Sequence, residues 1–144
     1  MKIYIGSDHG GFLLKEKIKA AIEEQKLDLE DVGCFDENSV DYPDIAKKVS
    51  KMVDEKPEET LGILVCGTGI GMSMVANKFE NVRAALCHDL NTAKMAREHN
   101  NANIVCIGGR VVDDKMGVDI VKAFLETPFS NEDRHIRRIE EFNK

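Results

Sequence analysis

The sequence has 144 residues, a formal net charge of −6 and 42% hydrophobic residues, which suits one domain with a real core. The acidic balance, without any concentrated basic segment, argues against a nucleic-acid-binding protein. No apolar run approaches the roughly 20 residues of a membrane span, and the first residues lack the apolar region of a signal peptide. We therefore expect a cytoplasmic protein that contacts neither nucleic acid nor membrane.

The predicted elements alternate between strands and helices. Short apolar runs predict strands over 2–6, 27–32, 61–65, 82–87 and 103–107. Apolar residues at helical spacing predict helices over 12–25, 43–54, 72–79, 90–99 and 113–126. One more helix, very rich in charge, is expected over 131–143.

This alternation predicts an α/β fold. Five strands with intervening helices form a five-stranded parallel sheet covered on both faces, a Rossmann-like three-layer α/β/α sandwich. Residues 1–144 would form a single domain with an extra C-terminal helix. That last helix has few apolar residues, mainly Ile136, Ile139 and Phe142. It is therefore a candidate for lying across a second subunit.

Ligands of parallel sheets bind beyond the carboxyl ends of the strands. The predicted elements place four segments there: 7–11, 66–71, His88 and 108–110. The segment after the third strand carries three alternating glycines, Gly67, Gly69 and Gly71, which leave backbone N–H groups free to bind an anion. Such a turn also favours the thiolate form of Cys66 beside it.

The residues of this turn have more than one interpretation. Cys66 could be a small buried residue at a strand end, or a reactive thiol facing the glycines. Thr68 could donate a hydrogen bond to a substrate oxygen. The Gly-x-Gly-x-Gly spacing and its place after the third strand differ from the dinucleotide fingerprint, so nucleotide binding is disfavoured.

Two His-containing pairs are further candidates. Asp8 could cap the following helix or contact a ligand together with His9, since both follow the first strand. His99 and Asn100 end a helix, where a histidine can complement the helix dipole or serve as an acid beside a hydrogen-bond donor. Four scattered cysteines without a C-x-x-C pair predict neither a metal site nor a disulfide.

Arginines could supply an anion site. Arg134 and Arg138 are four residues apart and share one face of the last helix. Two guanidinium groups on one face can clamp a phosphate, or they can pair with Glu140 and Glu141 on the same helix.

Taken together, the motifs resemble type B ribose-5-phosphate isomerase over essentially the whole chain. They are Gly6-x-Asp8-His9-x-Gly11, Asp41-Tyr42-Pro43, Cys66-Gly67-Thr68-Gly69-x-Gly71, Asn77-Lys78, Arg83-Ala84, His99-Asn100-x-x-Asn103, Gly108-x-Arg110 and Arg134-His135-x-x-Arg138. The wider family includes subunits of galactose-6-phosphate isomerase and enzymes acting on allose 6-phosphate.

The resemblance implies interconversion of ribose 5-phosphate and ribulose 5-phosphate, in the pentose phosphate pathway, without metal or organic cofactor. Cys66 would be the base that moves a proton from C2 to C1. Thr68 and His99 would assist opening of the furanose ring, with Asp8 near the sugar hydroxyls. Backbone amides of 67–71 would hold the enediolate oxygen.

The resemblance also implies a set of substrate-binding residues and an assembly. Four residues would bind phosphate, namely His9, Arg110, Arg134 and Arg138. Asn100 would bind the sugar, and Tyr42 and Ile70 complete the expected lining of the site. The partner is expected to be a second copy, in a homodimer or a tetramer with shared active sites. One subunit would supply the Cys66 loop, the other His99, Asn100 and Arg110.

Two features depart from the family pattern. The segment 131–133, Asn-Glu-Asp, stands where glycines are common, so acids lie beside the phosphate arginines. Cys34 replaces a more usual Thr. Two alternatives stay open: an isomerase of six-carbon aldose 6-phosphates, and a non-catalytic protein that binds sugar phosphates. Pocket depth around Tyr42 and His9 would decide substrate length.

Overall fold

The computed structural model describes all 144 residues and contains one five-stranded sheet. The strands are β1 (Lys2–Ser7), β2 (Asp28–Asp31), β3 (Thr60–Cys66), β4 (Ala84–Leu86) and β5 (Ile104–Gly108). Every pairing is parallel, and the order across the sheet is β2-β1-β3-β5-β4. The predicted parallel sheet is confirmed.

The chain also has six α-helices. A short 3₁₀ turn at His9–Gly11 joins β1 to the first of them. They are α1 (Phe12–Glu23), α2 (Tyr42–Glu55), α3 (Ile70–Ala76), α4 (Leu90–Asn100), α5 (Asp114–Glu126) and α6 (Asp133–Glu140). Apolar side chains of α1, α4 and α5 form one core with the sheet, and those of α2 and α3 form another. The three-layer α/β/α sandwich is therefore confirmed.

The central strand β3 explains why both faces carry helices. All seven of its residues are buried, and its side chains alternate between the two cores. Ile63 and Val65 pack on one side, while Leu64 and Cys66 pack on the other. A continuous apolar run of this kind is typical of a parallel strand covered on both faces.

The region around β4 is less regular than predicted. β4 spans only 84–86, and the N–H of Arg83 just before it donates to Oδ1 of Asn103 at 2.8 Å. The helix α3 ends at Ala76, before the predicted position 79. The side chain of Asn77 then bonds both the N–H and the carbonyl of Ala84, at 2.8 and 2.9 Å.

The last helix, α6, which is a candidate for lying across a second subunit, packs on α4 of its own chain. Ile136 and Ile139 are only half-buried, and Phe142 is 52% exposed. The buried residue of α6 is His135. No helix of the chain has the length and apolar character needed to cross a membrane.

Candidate active site

The glycine turn after β3 presents free backbone donors. The N–H groups of Gly67, Thr68 and Gly71 make no hydrogen bond within the chain. Gly69 adopts φ +80°, a left-handed conformation that favours glycine, and a Cβ there would lie 2.6 Å from Leu86. The turn is therefore fixed by its glycines and leaves several donors available for an anion.

Cys66 faces this turn, as predicted. The N–H of Gly69 donates a hydrogen bond to Sγ of Cys66 at 3.0 Å, although the residue is only 4% exposed. A donor of this kind stabilises a thiolate. Burial raises the pKa of Cys87 to about 11, and burial also raises the pKa of Cys106. Among these three thiols, Cys66 is the one placed for chemistry.

Asp8 and His9 lie at the same edge of the sheet. Oδ1 of Asp8 accepts a hydrogen bond from the N–H of Gly11 at 3.1 Å, so its predicted capping role is real. Nδ1 of His9 accepts a hydrogen bond from the N–H of Val40 at 3.1 Å, and its Nε2 has no partner in the chain. The ring of His9 is thereby oriented with one nitrogen free for a ligand.

Arg110 also belongs to this cluster, which corrects one expectation. Its N–H donates to the carbonyl of Gly67 at 2.9 Å, and a Cβ on Gly67 would lie 3.2 Å from its Nη1. The prediction that Arg110 comes from the subunit opposite the Cys66 loop is wrong. Adjacent parallel strands β3 and β5 end at one edge, and Arg110 follows β5 as Cys66 ends β3.

Two cavities flank the turn at this edge. One, of about 370 Å³, is lined by His9, Gly10 and Arg110, together with Lys17 and Glu37. A smaller cavity of about 240 Å³ has a different lining, namely Thr68, Ile70, Leu86, Cys87, His88, Gly108 and Val111. Space for a ligand is therefore present beside His9 and Arg110, and also beside Thr68.

Tyr42 covers the turn from α2. A Cβ placed on Gly71 would lie 2.5 to 2.7 Å from the Tyr42 ring and hydroxyl. The Tyr42 ring therefore approaches the turn so closely that a side chain at position 71 would have to displace it. Tyr42 itself is 39% exposed, so one side of its ring remains open to a ligand.

The other predicted site residues form a second cluster. His99 and Asn100 end α4, and Arg134 and Arg138 lie on the neighbouring α6. Nε of Arg134 is 2.8 Å from Oε2 of Glu132, so the acid that departs from the family pattern pairs with a phosphate-binding candidate. Asn100 and both arginines are exposed.

The two clusters lie at opposite ends of the sheet. Cys66 is the last residue of β3, at its carboxyl end, whereas α4 runs back and ends just before the amino end of β5. Seven residues of β3 span about 20 Å. We name the two groups the carboxyl-end cluster (Asp8, His9, Tyr42, 66–71 and Arg110) and the amino-end cluster (His99, Asn100, Arg134 and Arg138).

Comparisons with known proteins identify the family. The family model described as Ribose/Galactose Isomerase matches residues 3–142. The chain belongs to the ribose/galactose isomerase family. The type B ribose 5-phosphate isomerase of Trypanosoma cruzi has a TM-score of 0.94 and 46% identity, covering 99% of this chain and 96% of that one.

Two further relatives agree with this assignment. The Mycoplasma genitalium ribose-5-phosphate isomerase B, solved with bound ribulose-5-phosphate, has a TM-score of 0.93 at 40% identity, covering 97% of this chain and 92% of that one. The Listeria innocua ribose-5-P isomerase B is 39% identical over 130 residues, 90% of this chain and 87% of that protein. The predicted resemblance to type B ribose-5-phosphate isomerases, and with it the isomerase class, is confirmed.

The sequence predicted no role for His135, which lies beside the amino-end cluster. His135 is 4% exposed, and its ring lies 4.4 Å from that of His99, centroid to centroid. The only sequence signal was its place between Arg134 and Arg138 in a recognised motif. The described chain contains no cluster of three His, Cys, Asp or Glu side chains able to hold a metal ion.

Proposed function

We propose that this isomerase interconverts ribose 5-phosphate and ribulose 5-phosphate, with Cys66 as the base. The observation that carries the proposal is the thiol of Cys66, held by the N–H of Gly69 at 3.0 Å beside a turn with free donors. A base and an oxyanion site side by side are what proton transfer next to a carbonyl requires.

The reaction moves one proton between neighbouring carbons. The Cys66 thiolate takes the proton from C2 of the open-chain aldose, and the electrons of that bond form the C1–C2 double bond of an enediolate. The electrons of the C1 carbonyl move to O1, the proton of the C2 hydroxyl passes to O1, and return of the Cys66 proton to C1 leaves O2 as the carbonyl oxygen of the ketose. Free N–H groups of Gly67, Thr68 and Gly71 stabilise the enediolate oxygen, each by roughly 3–4 kcal/mol.

Remote groups orient the substrate. In this proposal His9 and Arg110 face the phosphate from the Cys66 side, and the cavity of about 370 Å³ between them gives it space. Arg134 and Arg138 close on the phosphate from the amino-end cluster, where Asn100 binds the sugar. Binding energy far from C1 and C2 then holds the reacting atoms in place.

One chain cannot bring both clusters together, so we propose a homodimer with shared sites. Apolar side chains are exposed along the free edge of β4 and on the adjacent helices, namely Ile70, Met74, Leu86 and Leu90. A two-fold axis perpendicular to β4 at this edge would place the carboxyl end of one chain against the amino end of the other. A tetramer of such dimers would leave these sites unchanged.

The proposed setting is a step of the pentose phosphate pathway in the cytoplasm, without metal or organic cofactor. The decisive experiment is an activity panel with ribose 5-phosphate, allose 6-phosphate and galactose 6-phosphate. We expect the highest kcat/KM with ribose 5-phosphate. A higher value with a six-carbon sugar would reassign the substrate, and binding without any turnover would indicate a non-catalytic protein.

A further inference from the structure

A buried histidine lies directly against His99. The rings of His99 and His135 are 4.4 Å apart between centroids, with their planes inclined by 36°. His135 is the only buried residue of α6, whereas the arginines on either side of it are exposed. The helix therefore turns this ring, and not its apolar residues, towards α4.

Ser130 fixes the ring of His135 from the other side. Its Oγ lies 2.8 Å from Nδ1 of His135 and accepts a hydrogen bond from the N–H of Glu132 at 3.3 Å. Its own N–H donates to the carbonyl of Glu98, in the last turn of α4, at 3.2 Å. Contacts thus run from the backbone of α4 through Ser130 to His135 and back to His99.

We propose that His135 is a positioning residue whose ring holds the imidazole of His99 at the angle needed to open the substrate ring. This inference rests on the proposed function, because it assigns His99 to the furanose form of ribose 5-phosphate. His135 itself touches His99 and Ser130, not the substrate.

Ring opening requires a directed imidazole. The bond between C1 and the ring oxygen breaks, the C1 hydroxyl loses its proton, and the ring oxygen gains one, which gives the aldehyde and the C4 hydroxyl. The terminal torsion of a histidine is broad, so a ring in the last turn of a helix does not select one direction by itself. Contact with a second, buried ring restricts that rotation.

The charge on His135 suits this role. Burial and the nearby His99, with smaller effects of Arg134 and Arg138, lower the pKa of His135, while Glu132 opposes the shift. The charged form of His135 is therefore disfavoured. An uncharged ring can stay in contact with His99 whether or not His99 carries a proton, whereas a second cation would repel it.

The test separates ring opening from proton transfer. Ribulose 5-phosphate cannot form a furanose ring, because its C5 oxygen carries the phosphate. Exchange of its C1 proton with deuterated water therefore needs Cys66 and the enediolate site only. We compare this exchange with turnover of ribose 5-phosphate in His135→Ala, His135→Phe, Ser130→Ala and, as a control on the exposed face of α6, Arg137→Ala.

We expect His135→Ala to lower kcat for ribose 5-phosphate about tenfold while C1 exchange stays within about twofold of wild type. His135→Phe keeps a flat ring against His99 and should recover most of the activity. Ser130→Ala, at an exposed position, should show a smaller loss in the same direction, and Arg137→Ala none.

Three outcomes would overturn the positioning role: unchanged turnover in His135→Ala and Ser130→Ala, equal loss of turnover and exchange, or failure of His135→Phe to recover activity. Should His135→Ala not fold, Ser130→Ala and His135→Phe decide alone. A wild-type protein that neither isomerises ribose 5-phosphate nor exchanges the C1 proton would instead refute the proposed function.

Discussion

The carboxyl-end and amino-end clusters are built in different ways. In the first, the base Cys66 and its neighbour Asp8 are 4% and 8% exposed, and the oxyanion donors are backbone N–H groups fixed by glycines, while Tyr42, Thr68 and Arg110 are exposed around them. In the second, Asn100, Arg134 and Arg138 are exposed side chains on two helices. Proton transfer demands atomic positions fixed within fractions of an ångström, whereas attraction of a phosphate by guanidinium groups tolerates movement.

The largest expected effect removes the base from the carboxyl-end cluster. Cys66→Ala should lower kcat by at least about 10³-fold, since no other group replaces the base, while ribose 5-phosphate still raises the thermal stability of the variant. Cys87→Ala is the matched control, because that thiol stays protonated with its pKa raised by burial to about 11. Full activity in Cys66→Ala would refute the assigned base.

A change in the amino-end cluster should act mainly on binding. Arg134→Ala removes one charged donor to the phosphate, so KM should rise about 10- to 100-fold with a smaller change in kcat. Steady-state kinetics against Arg137→Ala, an exposed arginine of the same helix, tests this. A large loss of kcat at unchanged KM would mean that the two clusters do not divide the work as proposed.

The stability of the carboxyl-end cluster should depend on a buried ion pair. Nζ of Lys15, with its side chain fully buried, donates to Asp31 and to the carbonyl of Cys34, each at 2.5 Å. These bonds hold the start of the loop between β2 and α2. Further along that loop, the N–H of Val40 donates to Nδ1 of His9 and orients its ring. Asp31→Asn should therefore lower the free energy of unfolding by about 3 kcal/mol.

The same pair predicts a pH dependence. Partial burial acts to raise the pKa of Asp31, but hydrogen bonds from Lys15, Lys19 and Gly33 outweigh it, and the net pKa is below the ordinary 3.8. Its stabilisation is thus complete above that value and is lost as pH falls through the lowered pKa. Urea unfolding of wild type should show this loss below about pH 4. Equal pH dependence in Asp31→Asn would contradict it.

The smallest expected effect concerns the acid beside the phosphate arginines. Glu132 pairs with Arg134 at the surface, with about half of each side chain exposed, so phosphate must displace a weak partner. Glu132→Gln should lower KM about twofold at low ionic strength, with kcat unchanged. Glu141→Gln, which loses a similar pair with Lys144, is the control. A raised KM would show that Glu132 helps to shape the site.

The sequence predicted the carboxyl-end cluster better than the rest. The carboxyl-end rule for parallel sheets places Cys66, His9 and Arg110 at one edge, because strand periodicity fixes where each strand ends. It could not assign these residues to one chain, and the resemblance placed Arg110 on the wrong subunit. The burial of His135 also escaped prediction, since apolar periodicity ranks Ile136 above a polar neighbour.

The central claim is that each active site takes its base from one chain and His99 from another. Cys66→Ala and His99→Ala are mixed, unfolded together and refolded, each being nearly inactive alone. A two-fold dimer with shared sites predicts recovery of about a quarter of wild-type activity, because about half of the dimers are mixed and each has one intact site. No recovery, with mixed dimers shown to form, would contradict the account.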